Sequence, residues 1–368
     1  MVINITDTVV GIAVGTRPEI IKMAPIIRFC KQNKIRLLLI HTGQHYSFEM
    51  DRIFFKELGL PEPSYNLEVG SGSHAKQTGL LLRRMEEVLM HEKLSILLVE
   101  GDTNSVLAGG LVAAKLNIPV GHVEAGLRSY DSEMPEEINR ILVDHLSNFL
   151  FAPTDLAENI LVKEGIPKEK IFVTGNTIVD AVYENLLLSR KNIHILPKFG
   201  IEEKQFFLLT LHRQENVDNP EKLQRVFMGL DLIYSQYSIP ILYPIHPRTK
   251  KRVYQFGLKP PKGVVLCEPL GYLEFLHLLS KSRLVLTDSG GIQEEACILK
   301  IPCVTLRENT ERPETLEVGS NILAGTDPSV MLMGVQKMLA KKNQWLNPFG
   351  DGKSGQRIVN IVLENLGT

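Results

Sequence analysis

The chain has 368 residues, and at one domain per ~150 residues this length predicts two domains. Hydrophobic residues make up 44% and charged residues 23%, with 28 Gly and 20 Pro, a balance that excludes a fibrous repeat or a disordered chain. The 41 Lys and Arg nearly cancel the 42 Asp and Glu, for a net charge of −1, so nothing advertises nucleic acid or an anionic membrane, and an anionic ligand must be met by a local cluster of cations.

In chain order, short β-branched runs alternate with segments of helical spacing. The strand candidates of the first half are 9–14, 36–42, 95–101, 118–124, 148–153 and 170–175, with helices at 19–32, 75–91, 103–116, 136–147 and 154–164. Runs that are apolar throughout suit strands covered on both faces by helices, and the alternation predicts a parallel sheet of right-handed β-α-β units. A second set follows the stretch 189–204, with strands at 205–212, 239–246, 263–269, 282–288 and 301–306 and helices at 219–236, 249–256, 272–281 and 290–299. The expectation is α/β throughout, two doubly wound Rossmann-like domains at 1–188 and 189–350. A last helix within 351–368 could pack on either, a return to the first being the reading adopted.

Cys30, Cys267, Cys297 and Cys303 show no C-x-x-C spacing and read as thiols of a reducing compartment, neither a disulfide frame nor a zinc site. No apolar run approaches the ~18 residues of a membrane span, and the apolar stretch 9–14 lacks a preceding positive region, so it reads as a strand and not a signal peptide. A cytoplasmic protein without membrane contact is expected.

In open α/β sheets ligands bind beyond the carboxyl ends of the strands. After the first strand come Gly15-Thr16-Arg17-Pro18-Glu19 and a helix carrying Lys22, which taken alone read as an ordinary turn with solvated cations, with an anion site as the alternative. After the third well-marked strand, Asp102 either caps a helix or faces a ligand. Glu124 follows the next strand, and Glu136 stands in a first helical turn, where the dipole alone favours an acid. Three carboxylates after strand ends of one sheet would have their pKa values forced apart, which suits acid/base work. In the second half, His212 beside Arg213 ends a strand, and Thr287-Asp288-Ser289-Gly290-Gly291-Ile292-Gln293-Glu294-Glu295 opens a helix. Paired glycines there let a backbone approach an anion while Glu295 could accept from a ribose diol. Arg312 supplies a further cation. The histidines form no defensible ligand set, and no metal is expected.

The blocks GTRPE (15–19), EGDTNS (100–105), HVEAGLRS (122–129), PEEINR (135–140), LHRQEN (211–216), TDSGGIQEEA (287–296) and TERPE (310–314) occur in this order. Together they make the chain resemble the non-hydrolysing UDP-N-acetylglucosamine 2-epimerases over nearly its whole length. The resemblance implies the GT-B architecture with the active site in the interdomain cleft, a cytoplasmic homodimer, and no metal, nicotinamide or other cofactor. It implies reversible conversion of UDP-GlcNAc to UDP-ManNAc through 2-acetamidoglucal, supplying UDP-ManNAc for polysaccharide or glycan synthesis. Carried over residue by residue, it implies substrate contacts by Arg17, Lys22 and His212, diphosphate binding by Ser289, Gly290 and Gly291, and a ribose contact by Glu295. Phe275 would lie against the uracil, Arg312 would complete the anion site, and Asp102, Glu124, Glu136 and His212 match the positions assigned to catalysis. Many bacterial members carry an arginine after Gln-His in the loop beyond the second strand, part of a regulatory UDP-GlcNAc site. Here Gln44 and His45 precede Tyr46, so weak or absent activation by UDP-GlcNAc is expected. A hydrolysing epimerase, a GT-B glycosyltransferase and a non-catalytic nucleotide-sugar sensor are the alternatives.

Overall fold

The computed structural model describes residues 8–44, 48–190 and 194–366. The chain divides into two compact units, Met1–Glu184 with Phe349–Thr368, and Asn185–Pro348.

The first unit holds seven strands: β1 (Val9–Val14), β2 (Arg36–His41), β3 (Tyr65–Asn66), β4 (Ile96–Glu100), β5 (Val120–Val123), β6 (Phe149–Ala152) and β7 (Ile171–Val173). Their order is β3-β2-β1-β4-β5-β6-β7, with every pair parallel. β1 pairs with β2 on one side and β4 on the other, which puts the reversal of strand order, where such sheets bind ligands, between β1 and β4. Residues 96–100 are all buried, as an apolar strand covered on both faces requires.

The helix Arg17–Gln32 buries Ile20, Met23, Ala24 and Ile27 under this sheet. The helix Ser354–Leu366 lies against it so closely that a Cβ on Gly355 would sit 3.0 Å from the Pro25 side chain. Asp180 accepts from the N–H groups of Ser354 and Gly355 (3.2 and 2.9 Å), tying the start of that helix to the first unit.

The second unit holds β8 (Phe207–Thr210), β9 (Ile241–Pro244), β10 (Val264–Cys267), β11 (Leu284–Thr287), β12 (Cys303–Thr305) and β13 (Asn321–Leu323), all parallel in the order β10-β9-β8-β11-β12-β13. This repeats the winding of the first sheet. Phe207, Leu209 and Leu286 point into one core layer, and Phe206, Leu208 and Val285 into the other, as alternation along a doubly covered strand demands.

Both chains of β-α-β units therefore form as the apolar runs predict. The edge strands β3 and β13 are additions, since two or three residues make no readable apolar run. A helix at Thr177–Ser189 runs into the segment read from sequence as the break between domains, and a short helix at Ile195–Lys198 lies inside it. Among the described residues no helix is long and apolar enough to cross a membrane. Cys30, Cys297 and Cys303 are buried free thiols and Cys267 is partly buried; burial pushes the Cys30 and Cys303 thiols up to about 12.

Candidate active site

In the first unit the strand-end carboxylates gather around Lys22. Its Nζ lies 2.6 Å from Glu124 Oε1 and 3.1 Å from Glu100 Oε1, and Asn176 donates to the same Glu124 oxygen at 3.0 Å. Lys22, expected at a phosphate, is thus engaged with carboxylates. Glu124 sits at φ +69°, in the left-handed region that costs a non-glycine residue energy. Burial pushes Glu100 well above the usual carboxylate range, opposed by Lys22 and reinforced by Glu124 and Glu19. Glu19 is buried as well and lies at about 7, raised by loss of solvent and lowered in part by hydrogen bonds from Thr103, Gly15 and Thr16. Asp102 adds to the upward push on Glu19.

Asp102 is paired with Arg140, which also holds Glu137 at 2.8 Å. Thr103, rather than Asp102, caps the helix Asn104–Lys115, accepting from Ser105 N. The Asp102 side chain is thereby left to Arg140, and Asn139 donates to its carbonyl at 2.9 Å. Glu136 stands in the first turn of the helix Pro135–Leu146 and lines a cavity of about 280 Å³ with Gln44, His74, Gln77 and Asn104. Its neighbour Glu137 points elsewhere. It accepts from Ser129 N, Ser129 Oγ and Tyr130 N (2.9, 3.0 and 2.9 Å), and these bonds with Arg140 outweigh burial and hold it below the usual carboxylate range. Gly15 owes its identity to packing, because a Cβ there would fall 2.2 Å from Ser105 Oγ and 2.3 Å from Thr42 Oγ1. Arg17 follows at the helix start, with its guanidinium 5.3 Å from the Phe54 ring. Of the loop beyond β2, Gln44 accepts from Ser105 N at 3.0 Å, while His45, Tyr46 and Ser47 lie outside the described residues.

In the second unit Asp288, fully buried at the end of β11, organises the end of β8. It accepts from His212 N (3.0 Å) and Arg213 N (2.9 Å), and His212 Nδ1 lies 3.4 Å from its other oxygen. Loss of solvent holds the half-exposed His212 ring below the usual histidine range against the attraction of Asp288. Ser289 precedes the helix Gly290–Ile298 without using its side chain as a cap. A Cβ on Gly291 would meet nothing within 4 Å, and neither glycine has a left-handed φ. Among the described residues nothing demands glycine at 291, in contrast to Gly15.

Glu295 is buried on the same helix, 3.1 Å from the donating Tyr272 hydroxyl, and burial pushes it up to about 8. Phe275 is one turn along the helix Tyr272–Lys281 from Tyr272 and packs partly into the core beside it. Arg312 Nε lies 2.7 Å from the buried Glu294. Arg307 grips Glu311 through two hydrogen bonds (2.8 and 2.9 Å), which hold that carboxyl down to about 2 despite burial.

Sequence reading gave no roles to Glu19, Glu100, Arg140 or Asp288, whose parts are set by tertiary partners. The position of Glu100 and Asp288 at strand ends was the one signal available. Among the described residues no three His, Cys, Asp or Glu side chains group to hold a metal ion.

The family model of UDP-N-acetylglucosamine 2-epimerase matches residues 28–363. A UDP-N-acetylglucosamine 2-epimerase of Methanocaldococcus jannaschii is 56% identical over 96% of this chain and 98% of its own length. A UDP-2,3-diacetamido-2,3-dideoxy-D-glucuronate 2-epimerase of Pseudomonas aeruginosa is 40% identical over 95% and 98%. The crystal structure of the Methanocaldococcus jannaschii UDP-GlcNAc 2-epimerase in complex with UDP-GlcNAc and UDP superposes with a TM-score of 0.87 at 56% identity, covering 97% of this chain and all of that one (100%).

Proposed function

The chain belongs to the UDP-N-acetylglucosamine 2-epimerase family, and on that premise we propose that it interconverts UDP-GlcNAc and UDP-ManNAc by elimination and re-addition of UDP. The hydrogen on the second sugar carbon is not adjacent to a carbonyl, so its removal alone would leave an unstabilised carbanion. Elimination avoids this. A carboxylate takes the proton, the C–H electron pair forms the double bond of 2-acetamidoglucal, and the anomeric C–O pair leaves with UDP. Re-addition reverses each transfer with the proton delivered to the opposite face, so inversion calls for two proton-handling groups.

The observation that carries this reading is the acid cluster of the first unit. β4 and β5 pair as neighbours with Glu100 opposite Val123, so Asp102 and Glu124 follow adjacent strand ends, one held by Arg140 and the other by Lys22. Glu136 completes the set.

In the second unit the helix start at Ser289, Gly290 and Gly291 suits a diphosphate, whose charge free N–H groups stabilise as it develops on departure. Arg312, with Arg17 and His212, adds to that stabilisation. Glu295 suits the ribose and Phe275 the uracil face, while Lys22 acts on the substrate through Glu124. The reading requires one substrate to engage both sets of residues. It extends to a cytoplasmic homodimer that needs no cofactor.

Purified protein incubated with UDP-GlcNAc should yield UDP-ManNAc as a second nucleotide sugar, resolved by its anomeric proton signals. Asp102→Asn, Glu124→Gln and Glu136→Gln should each lower kcat by orders of magnitude with UDP affinity little changed. Free ManNAc with UDP, or near-normal turnover in all three variants, would contradict the reading.

A further inference from the structure

His122 is buried in the middle of the first sheet, on β5, with Val99 of β4 opposite it on one side and Leu150 of β6 on the other. Both of its ring nitrogens meet acceptors. Nε2 lies 2.8 Å from the carbonyl oxygen of Gly101, and Nδ1 lies 2.6 Å from Asp144 Oδ1. A carbonyl oxygen can only accept, so Nε2 carries a hydrogen. Asp144 takes a hydrogen bond from Gly126 N (3.2 Å) on its other oxygen, 2.7 Å from Arg128 Nη1. Against burial, His122 first and then Arg128 hold its carboxyl below the usual carboxylate range, so the contact to Nδ1 ties the ring to this acid.

We infer that His122 is a positioning residue that clamps the ends of β4 and β5 through its two ring nitrogens and so sets the placement of Asp102 relative to Glu124. The clamp rests on geometry, and its consequence for turnover rests on the function proposed above. The Gly101 carbonyl belongs to the peptide that leads into Asp102. At the other end Asp144 holds Gly126, two residues beyond Glu124, where the backbone is left-handed at both Glu124 and Gly126. The bonded path Gly101, His122, Asp144, Gly126 therefore brackets both acids without touching either.

Arg128, the other partner of Asp144, is itself bound through Nε and Nη2 to Glu164 (2.8 and 2.5 Å), which fixes the far end of the path.

The test uses the full-length protein in two arms. In protein labelled with 15N-histidine, the His122 ring should show a slowly exchanging Nε2–H, as its bond to the buried Gly101 carbonyl requires. The signal is assigned by its loss in His122→Gln, or by its persistence in heavy water should that variant not fold. In the second arm, His122→Gln keeps one hydrogen-bonding end and loses the other. Its kcat on UDP-GlcNAc should fall on the order of 10²-fold, as a misplacement of about 1 Å can cause, while KM and UDP affinity stay within about twofold. A His122 ring whose Nε2 carries no hydrogen overturns the clamp. A folded His122→Gln protein with wild-type kcat overturns its positioning role. Absence of epimerase turnover in the unaltered protein sinks the function proposed above instead, and the clamp is then decided by the ring nitrogens alone.

Discussion

Arg312 and Glu295 show how a partner inside the protein changes what a substitution should do. Arg312 faces buried Glu294, so Arg312→Ala removes a cation from the proposed UDP site and from an acid in the core. Calorimetry on the folded variant should find UDP binding weaker by ~2–5 kcal/mol, the cost of truncating one side of a desolvated charge pair. Unchanged affinity would take Arg312 out of the site. Glu295 has the opposite problem, a carboxyl raised by burial from its ordinary 4.5 to about 8. Between those two values the folded chain holds a proton that the unfolded chain has released, so stability falls as pH rises across the window and levels off above it. Glu295→Gln should remove part of that decline, read as a flatter curve of unfolding free energy against pH. Part should remain, because Glu19 is raised to about 7 by the same cause. An identical slope in the variant would contradict a protonated Glu295.

At the scale of elements, two glycines separate a packing requirement from a ligand requirement. Gly126 has φ +84°, and a Cβ there would lie 2.5 Å from the Ala157 carbonyl oxygen, so Gly126→Ala should lower the unfolding free energy by ~1–3 kcal/mol from the backbone strain alone, read as a fall in Tm. Gly291 opens a helix into empty space. Gly291→Ala should leave Tm unchanged or slightly raised, since alanine is the better helix former by up to ~1 kcal/mol, and should weaken UDP binding by obstructing close approach. Unchanged UDP affinity would mean that the helix start is not the diphosphate site.

The same contrast explains what the sequence discloses. β1, β4 and β11 are legible because both faces are covered and all but the terminal Glu100 and Thr287 are apolar or glycine, whereas β3 and β13 are short edges whose pairing depends on a neighbour. Asp102, Glu124 and Ser289 are legible as positions just past strand ends. The engagement of Lys22 by Glu100 and Glu124 is not, because Lys22 and Glu124 are 102 residues apart in the chain. Nor is Asp144, an acid in the last turn of its helix whose partner His122 lies 22 residues earlier.

At the scale of the whole molecule, the proposed roles divide between the two units. The acids that would move a proton belong to the first, and the helix start, ribose acceptor and Arg312 that would hold departing UDP belong to the second. An enzyme assembled this way must retain UDP and the glucal through the step, a demand met by excluding water. The most direct test of this account is incubation with UDP-GlcNAc in heavy water, with no acceptor, metal or nicotinamide added. Carboxylates that remove and return a proton at the second carbon should place deuterium there in both UDP-GlcNAc and UDP-ManNAc, with the nucleotide sugars intact. UDP-ManNAc formed without deuterium at that carbon would contradict elimination and the roles assigned to Asp102, Glu124 and Glu136.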